Sequence, residues 1–291
     1  MHTLRKFLRN PTALVGTIIL SALVLIAVIG PFFVQDPLLQ QTSIKLQPPS
    51  LEHWFGTDDF GRDVLARIVV GARYSLTAGL VAVGLGLLGG LIMGAFAGYY
   101  GGLLDQVIMT LCDIMLAFPS ILLAMGVVMV MEPGIYTPMV AVGISSIPTF
   151  ARLVRAQFMS LRTSSFVEAV RSSGAGDLRI IFRHLLPNSL GPVIIQATLR
   201  IGSAILMAAT LSFLGLGVAA PMPSLGSLAP DAVSGMTTYP HRLLAPAIMI
   251  SVLILMVNLF GDPLRDPLAP KLPHRAAHKS PHERQEHSPH H

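Results

Sequence analysis

The stretch SLTAGLVAVGLGLLGGLIMGAFAGYYGG, residues 75–102, holds no charged side chain and lies between Arg73 and Asp105. A helix of about 20 mostly apolar residues, rising 1.5 Å per residue, crosses about 30 Å of hydrocarbon. This run is long enough to span a bilayer. Its glycines fall at Gly79, Gly84, Gly86, Gly89, Gly90, Gly94 and Gly98, with a four-residue repeat at Gly86, Gly90, Gly94 and Gly98. In lipid, helices associate by close packing rather than by escape from water, and small residues four apart let two backbones approach. The spacing therefore predicts a helix inside a bundle. The alternative is that glycine is simply commoner in membrane helices than in soluble ones.

Five further apolar runs flank this one. Residues 12–34, between Arg9 and Asp36, form the clearest of them. A third span is expected at 107–131, carrying Asp113 and Pro119, and a fourth at 135–151, with Pro138 and Pro148. The fifth covers 190–218 around Arg200, and the sixth 243–260. The first run follows Arg5, Lys6 and Arg9 as a secretory signal would, but it is too long and lacks a small-residue cleavage site. It reads as a retained anchor.

Composition agrees. Apolar residues make up 52% of the 291-residue chain and charged ones 12%, against roughly 25% charged in soluble domains, and mean hydropathy is +0.65. A water-soluble globule is excluded. The net charge of +5 and the pI near 9.7 would suit a nucleic-acid binder, but long charge-free runs separate the basic clusters, so no basic face can form. The single cysteine, Cys112, rules out an intrachain disulfide, and no Cys/His zinc spacing occurs. The fold class expected is all-α, an integral membrane protein of six spans.

Lys and Arg collect on the cytoplasmic side of membrane proteins. With the N-terminus inside, fourteen of them fall in cytoplasmic segments and five (Lys45, Arg62, Arg67, Arg73 and Arg242) in outer ones. Both termini are expected in the cytoplasm. The organisation is then a cytoplasmic arm at 1–11, a membrane domain at 12–262 and a cytoplasmic tail at 263–291. The tail carries His274, His278, His282, His287, His290 and His291 among Pro, Arg and Ser. It has no core-forming residues and is expected to be disordered; a divalent-metal collector is the alternative.

Between the fourth and fifth spans lies a polar segment, about residues 155–189, too long for a simple turn. Phe158, Leu161, Phe166, Val167 and Val170 recur at helical spacing, Gly174 and Gly176 break the helix, and Leu178, Ile180, Ile181 and Phe182 begin another amphipathic turn before Pro187. The physics of this elbow also suits a basic amphipathic anchor on anionic headgroups of membrane lipid.

The order Glu168, Ala169, Gly174, Leu186, Pro187 resembles the EAA loop of the membrane subunits of bacterial ATP-binding-cassette importers. Val170 and His184 depart from the usual alanine and isoleucine. Residues 53–76, 113–124, 204–224 and 258–272 resemble one branch, the C-type permeases of dipeptide, oligopeptide and nickel importers. Departures are Thr110, Ser224, Leu225, Pro263 and Ala269, where that branch has arginine, an acidic residue, tryptophan, glycine and aspartate.

The resemblance implies a six-helix type I importer permease whose elbow, through Glu168, Ala169, Gly174, Gly176, Asp177, Leu186 and Pro187, docks in a cleft of a cytoplasmic ATPase. It implies as partners a second homologous membrane subunit, two ATPase subunits and an extracytoplasmic solute-binding protein. No phosphate-binding GxxxxGK(S/T) motif occurs, so ATP and Mg²⁺ belong to the partners and no cofactor is expected on this chain. Dipeptides or short oligopeptides are the cargo the branch implies, with nickel the alternative.

Ionisable groups at membrane depth cost roughly 2.5–3.5 kcal/mol on insertion scales. Asp113 and Arg200 are therefore candidates for the translocation path, or for an interhelical ion pair or wet interface. Glu132, Asp231, His241 and Arg242 are expected at the outer mouth, kept there by solvation. Asp58, Asp59, Asp63 and Arg62 form an outer loop that contacts a binding protein or pairs with itself. An intramembrane enzyme is disfavoured, since no GxSxG, HExxH or suitable aspartate pair is present. An ion channel would need no ATPase.

Overall fold

A computed structural model describes residues 11–268, Pro133 and Ser234 excepted, without the side chains of 12, 13 and 262–268. The basic N-terminal arm, Ala269 and the tail histidines from His274 lie outside the described residues, as does the side chain of Pro263.

The described residues form helices joined by loops. They are α1 (Pro11–Ile29), α2 (Val64–Tyr100), α3 (Gly102–Ala117), α4 (Ser120–Val130), α5 (Thr137–Arg162), α6 (Ser165–Ser172), α7 (Asp177–Ile180), α8 (Leu186–Phe213), α9 (Leu228–Val233) and α10 (His241–Leu268). A π-helical turn, Ile181–Leu185, joins α7 to α8 without a break. Five of these helical units are long and apolar enough to cross a membrane, or six if α3 and α4 together make one span.

The central helix is α2. At 1.5 Å per residue its 37 residues extend ~55 Å, well beyond the hydrocarbon thickness. Asp63 caps its start, with Oδ1 accepting the Ala66 N–H at 2.7 Å. The four-residue glycine repeat is its contact face with α5. A Cβ on Gly86 would lie 2.8 Å from the Ser146 Cβ, and one on Gly98 would lie 2.7 Å from both the Phe158 Cβ and the Arg155 carbonyl oxygen. Gly90 and Gly94 are as tightly covered by Phe150, Ala151 and Val154. The packing reading of the glycines holds, and α2 contacts α5 more than any other element.

The span expected at 107–131 is not one helix. Between α3 and α4 the axis turns by 97°; the helix breaks there because Pro119 disfavours helical conformation in the residue before it, and Phe118 is extended (φ −91°, ψ 141°). The fourth span runs eleven residues past the expected end at 151, to Arg162. Its charged continuation stays helical because Arg152, Arg155 and Arg162 all find partners on α2 and α3. Phe158 and Leu161 consequently end α5 rather than belong to the elbow helix. The fifth span ends earlier than expected, at Phe213, where Gly215 (φ +80°) closes a Schellman turn: the Leu216 N–H donates to the Leu211 carbonyl at 2.9 Å.

Three apolar clusters fill the bundle. One joins α2, α4, α5 and α8 around Phe150, Met139 and Leu211. A second joins α1, α2, α8 and α10 around Ile68, Ile205 and Leu253. Leu225, standing where the related branch has tryptophan, is fully buried there. The third lies at the end of α2 and seats the elbow.

Candidate coupling elbow and translocation path

The elbow is built on the third cluster. Val167 of α6 is buried, and so are Ile180, Ile181 and Leu185, against Ala95 and Tyr99 of α2 and Val154 and Phe158 of α5. Helix α6 ends in a Schellman turn, with the Gly174 N–H donating to the Arg171 carbonyl at 3.0 Å and Ala175 N–H to Val170 at 3.4 Å. Gly174 sits at φ +81°, a conformation that costs other residues roughly 1–2 kcal/mol. Val170, half-buried, supplies the apolar contact of that turn, which accommodates its departure from alanine. Gly176 precedes α7 in ordinary extended conformation, φ −70° and ψ 156°. Nothing lies within 4 Å of a Cβ on either glycine.

One residue outside the sequence motif ties this loop to the bundle. Tyr99, near the end of α2, is 4% exposed. Its hydroxyl donates to Asp177 Oδ1 at 2.5 Å, the Arg171 guanidinium lies 5.8 Å above its ring, and its carbonyl accepts from Arg162 Nη1 at 2.9 Å. Both arms of the elbow and the end of α5 thus converge on α2. Glu168, Ala169, Gly174 and Gly176 are exposed, as is Pro187; Asp177 is exposed too but turns its carboxylate to Tyr99, and Leu186 is half-buried. The structure places Glu168, Ala169, Gly174, Gly176 and Asp177 in the elbow, and Leu186 and Pro187 in the first turn of α8.

The two charged candidates within the spans do not meet. Asp113 on α3 pairs with Arg152 on α5 at 2.5 Å, both side chains more than half exposed, so it is an interhelical ion pair. Beside it Asp105 and Arg155 form a bidentate pair at 2.5 and 2.6 Å. Arg200 on α8 donates to Thr149 Oγ1 on α5 at 3.1 Å. Among the described residues no carboxylate pairs with it.

At the opposite end of the bundle the acidic loop pairs with itself. His53 Nδ1 meets Asp63 Oδ2 at 2.7 Å, and Arg62 Nε donates to Asp58 Oδ2 at 2.6 Å. Arg242 departs from its expected solvated place: it is 4% exposed and pairs with Asp59 at 2.5 Å. Burial against the loop, compensated by this pair, replaces solvation. His241 is half-buried, with a sealed Nε2 that has no partner; Glu132 and Asp231 are exposed as expected. Among the described residues no group of three or more His, Cys, Asp or Glu is placed to hold a metal ion.

A bundle of long apolar helices, with a polar elbow braced against one end, defines a multi-pass helical membrane protein. The family described as "Binding-protein-dependent transport system inner membrane component" matches residues 90–273, and "N-terminal TM domain of oligopeptide transport permease C" matches residues 2–49. The dipeptide transport system permease protein DppC of Alkalihalophilus pseudofirmus is 46% identical over 269 residues, covering 92% of this chain and 88% of that one. The glutathione transport system permease protein GsiD of Pectobacterium atrosepticum is 42% identical over 271 residues, covering 92% and 90%. Among solved structures, an inward-facing methionine ABC transporter, MetNI, matches with a TM-score of 0.58 at 20% identity, over 70% of this chain and 97% of that one; at that identity the likeness concerns fold alone. The chain belongs to the family of inner-membrane components of binding-protein-dependent transport systems. It is a permease subunit of an ABC importer, a multi-pass membrane protein rather than an enzyme.

Proposed function

We propose that this permease forms one half of the path by which dipeptides or short oligopeptides enter a bacterial cell, driven by ATP hydrolysed elsewhere. The names of its relatives, dipeptide and glutathione permeases, favour peptides over nickel. Its partners in this reading are a second, homologous membrane subunit, two cytoplasmic ATPases that bind ATP and Mg²⁺, and an extracytoplasmic binding protein that delivers the cargo. The chain binds no nucleotide itself. The elbow faces the cytoplasm, both termini lie on that side, and 12–262 is the membrane unit between a short arm and a cytoplasmic tail.

The observation that carries the coupling role is the division of the elbow into two faces. Its apolar face is locked onto α2 and α5 through Val167, Ile181 and Tyr99, while Glu168, Ala169 and both glycines stay exposed. A rigid partner pushing on the exposed face moves two spanning helices directly. Nucleotide can drive that motion only by favouring one arrangement of the pair through interaction energy. Arg200, hydrogen-bonded to Thr149, and the Asp113–Arg152 pair are the path candidates on this chain.

Gly176 gives the cleanest test, because its backbone suits any residue and its side-chain space is open. Replacing it by Leu should leave folding and assembly of the membrane subunits intact, yet lower ATP-dependent uptake of labelled dipeptide into proteoliposomes by about tenfold or more, equivalent to ~1.4 kcal/mol of lost docking. Wild-type uptake with normal ATPase binding would assign the coupling surface elsewhere.

A further inference from the structure

Where α2 meets the turn into α8, at the elbow end of the bundle, the surface holds a groove of about 150 Å³. Its walls include Leu88, Ile92 and Phe96 of α2, Phe158 of α5, Phe182 of the π-helical turn and Leu186 of α8, and every wall residue is apolar. From Leu88 to Phe96 it follows α2 for about 12 Å, at 1.5 Å per residue. Leu88, Ile92 and Phe182 are each more than half exposed. Two cations adjoin the groove. Arg179 and Arg183 stand three positions before Phe182 and Leu186 in the continuous helical run from Asp177, so they share the face that carries those two wall residues. Both arginines are exposed, and neither makes an ion pair among the described residues. Leu178, beside them, is exposed as well.

An apolar cavity of this size stays dry and takes an apolar occupant. Exposed leucine and phenylalanine beside arginines on one helical face suit the zone where hydrocarbon meets head groups, because the stems of long cationic side chains lie along apolar surface while their heads reach polar partners. Basic sites at the ends of membrane helices hold anionic head groups in the same way. The charges that must face protein or water at depth, Asp113, Arg152 and Arg200, belong to α3, α5 and α8. The exposed wall of the groove belongs to α2, which carries no charged residue from Tyr74 to Tyr100, so nothing keeps that wall from hydrocarbon. We propose that the groove binds an acyl chain of an anionic phospholipid, whose phosphate is held by Arg179 and Arg183. The bound chain fills the gap between α2 and the base of α8 and ties the apolar seat of the elbow to the bilayer. The site depends on the bundle lying in a membrane and not on which cargo it carries.

In the test, the complete importer, stripped of lipid in detergent, is titrated with dioleoylphosphatidylglycerol or dioleoylphosphatidylcholine, and bound lipid is counted by native mass spectrometry. The wild type should bind the anionic lipid about tenfold or more tightly than the zwitterionic one. Arg179→Gln and Arg183→Gln, at exposed positions without ion pairs, should each weaken anionic-lipid binding by about fivefold. Ile92→Trp, which fills the groove from an exposed position, should weaken binding of both lipids. Glycerol 3-phosphate, a head group without chains, should not displace the bound lipid. Equal binding of the two lipids, or a preference that survives loss of both arginines, would overturn the proposal, as would undiminished binding to Ile92→Trp or displacement by glycerol 3-phosphate. If Ile92→Trp does not assemble, the arginine variants decide. Cross-linking of Ile92→Cys to the second membrane subunit by a short bifunctional maleimide would give the groove to that subunit and likewise overturn the lipid site.

Discussion

Tyr99 is the residue on which the elbow and the bundle meet, and its hydroxyl carries a separable part of that joint. The hydroxyl donates to Asp177 at 2.5 Å, while the ring is held by burial. Tyr99→Phe keeps the packing and removes the bond to a charged acceptor, worth about 1.5–3 kcal/mol, but Asp177 is exposed and regains water, so the net loss falls toward the lower figure. The expected result is faster amide hydrogen exchange across residues 165–180 and reduced ATP-driven uptake, with unchanged assembly. Unchanged exchange would remove Tyr99 from the joint. Sequence reading reached Gly174 and Gly176 because a glycine pair interrupting an apolar period is a visible break. It did not reach Tyr99, because an aromatic closing an apolar run looks the same as an interfacial belt residue.

Among the elements, α2 and α5 make the contact that decides the bundle, and glycine makes it possible. A leucine at Gly94 must displace α5, since even a Cβ there would lie 2.8 Å from the Val154 Cβ; overpacking of this kind costs typically 1–3 kcal/mol. Gly84 lies on the same helix with nothing within 4 Å, so Gly84→Leu should be tolerated. The two variants, compared by thermal melting of the detergent-solubilised chain, should separate by several degrees, with Gly94→Leu lower. Equal melting would mean that the stripe is not a packing face. That stripe was legible because a four-residue repeat of small residues has few other uses. The 97° turn between α3 and α4 was not. Pro119 marks a break, but the angle is set by what α3 and α4 pack against, and Asp105 and Asp113 tether α3 to α5 through arginines some 40 to 50 residues away. The extension of α5 to Arg162 was hidden for the same reason: charges end an apolar run in sequence, and only their partners show that they do not end the helix.

At the scale of the whole molecule the two ends differ in how they treat positive charge, and that difference argues for the orientation in the membrane. At the far end two cations are buried and matched, Arg62 with Asp58 and Arg242 with Asp59 across 183 residues of sequence, while Lys45 and Arg73 are exposed. At the elbow end Arg171, Arg179 and Arg183 are exposed, with no ion pair among the described residues. Counting Lys and Arg from sequence treats the two sets alike, but the rule that cations stay in the cytoplasm concerns charge near the ends of spans, and unpaired charge is what an anionic inner leaflet attracts. Pairing removes Arg62 and Arg242 from the far end and Arg152 and Arg155 from the elbow side, so among the described residues the asymmetry rests on exposed Arg171, Arg179 and Arg183 against exposed Lys45 and Arg73. A cysteine at Ser173, exposed on the elbow, and one at Glu52, exposed in the far-end loop, report the two faces against the blank of buried Cys112. In intact spheroplasts a membrane-impermeant maleimide should label Glu52→Cys and spare Ser173→Cys, and in inside-out vesicles the pattern should reverse. The opposite pattern would put the elbow where no cytoplasmic ATPase can reach it, and an importer driven through that surface would be physically impossible.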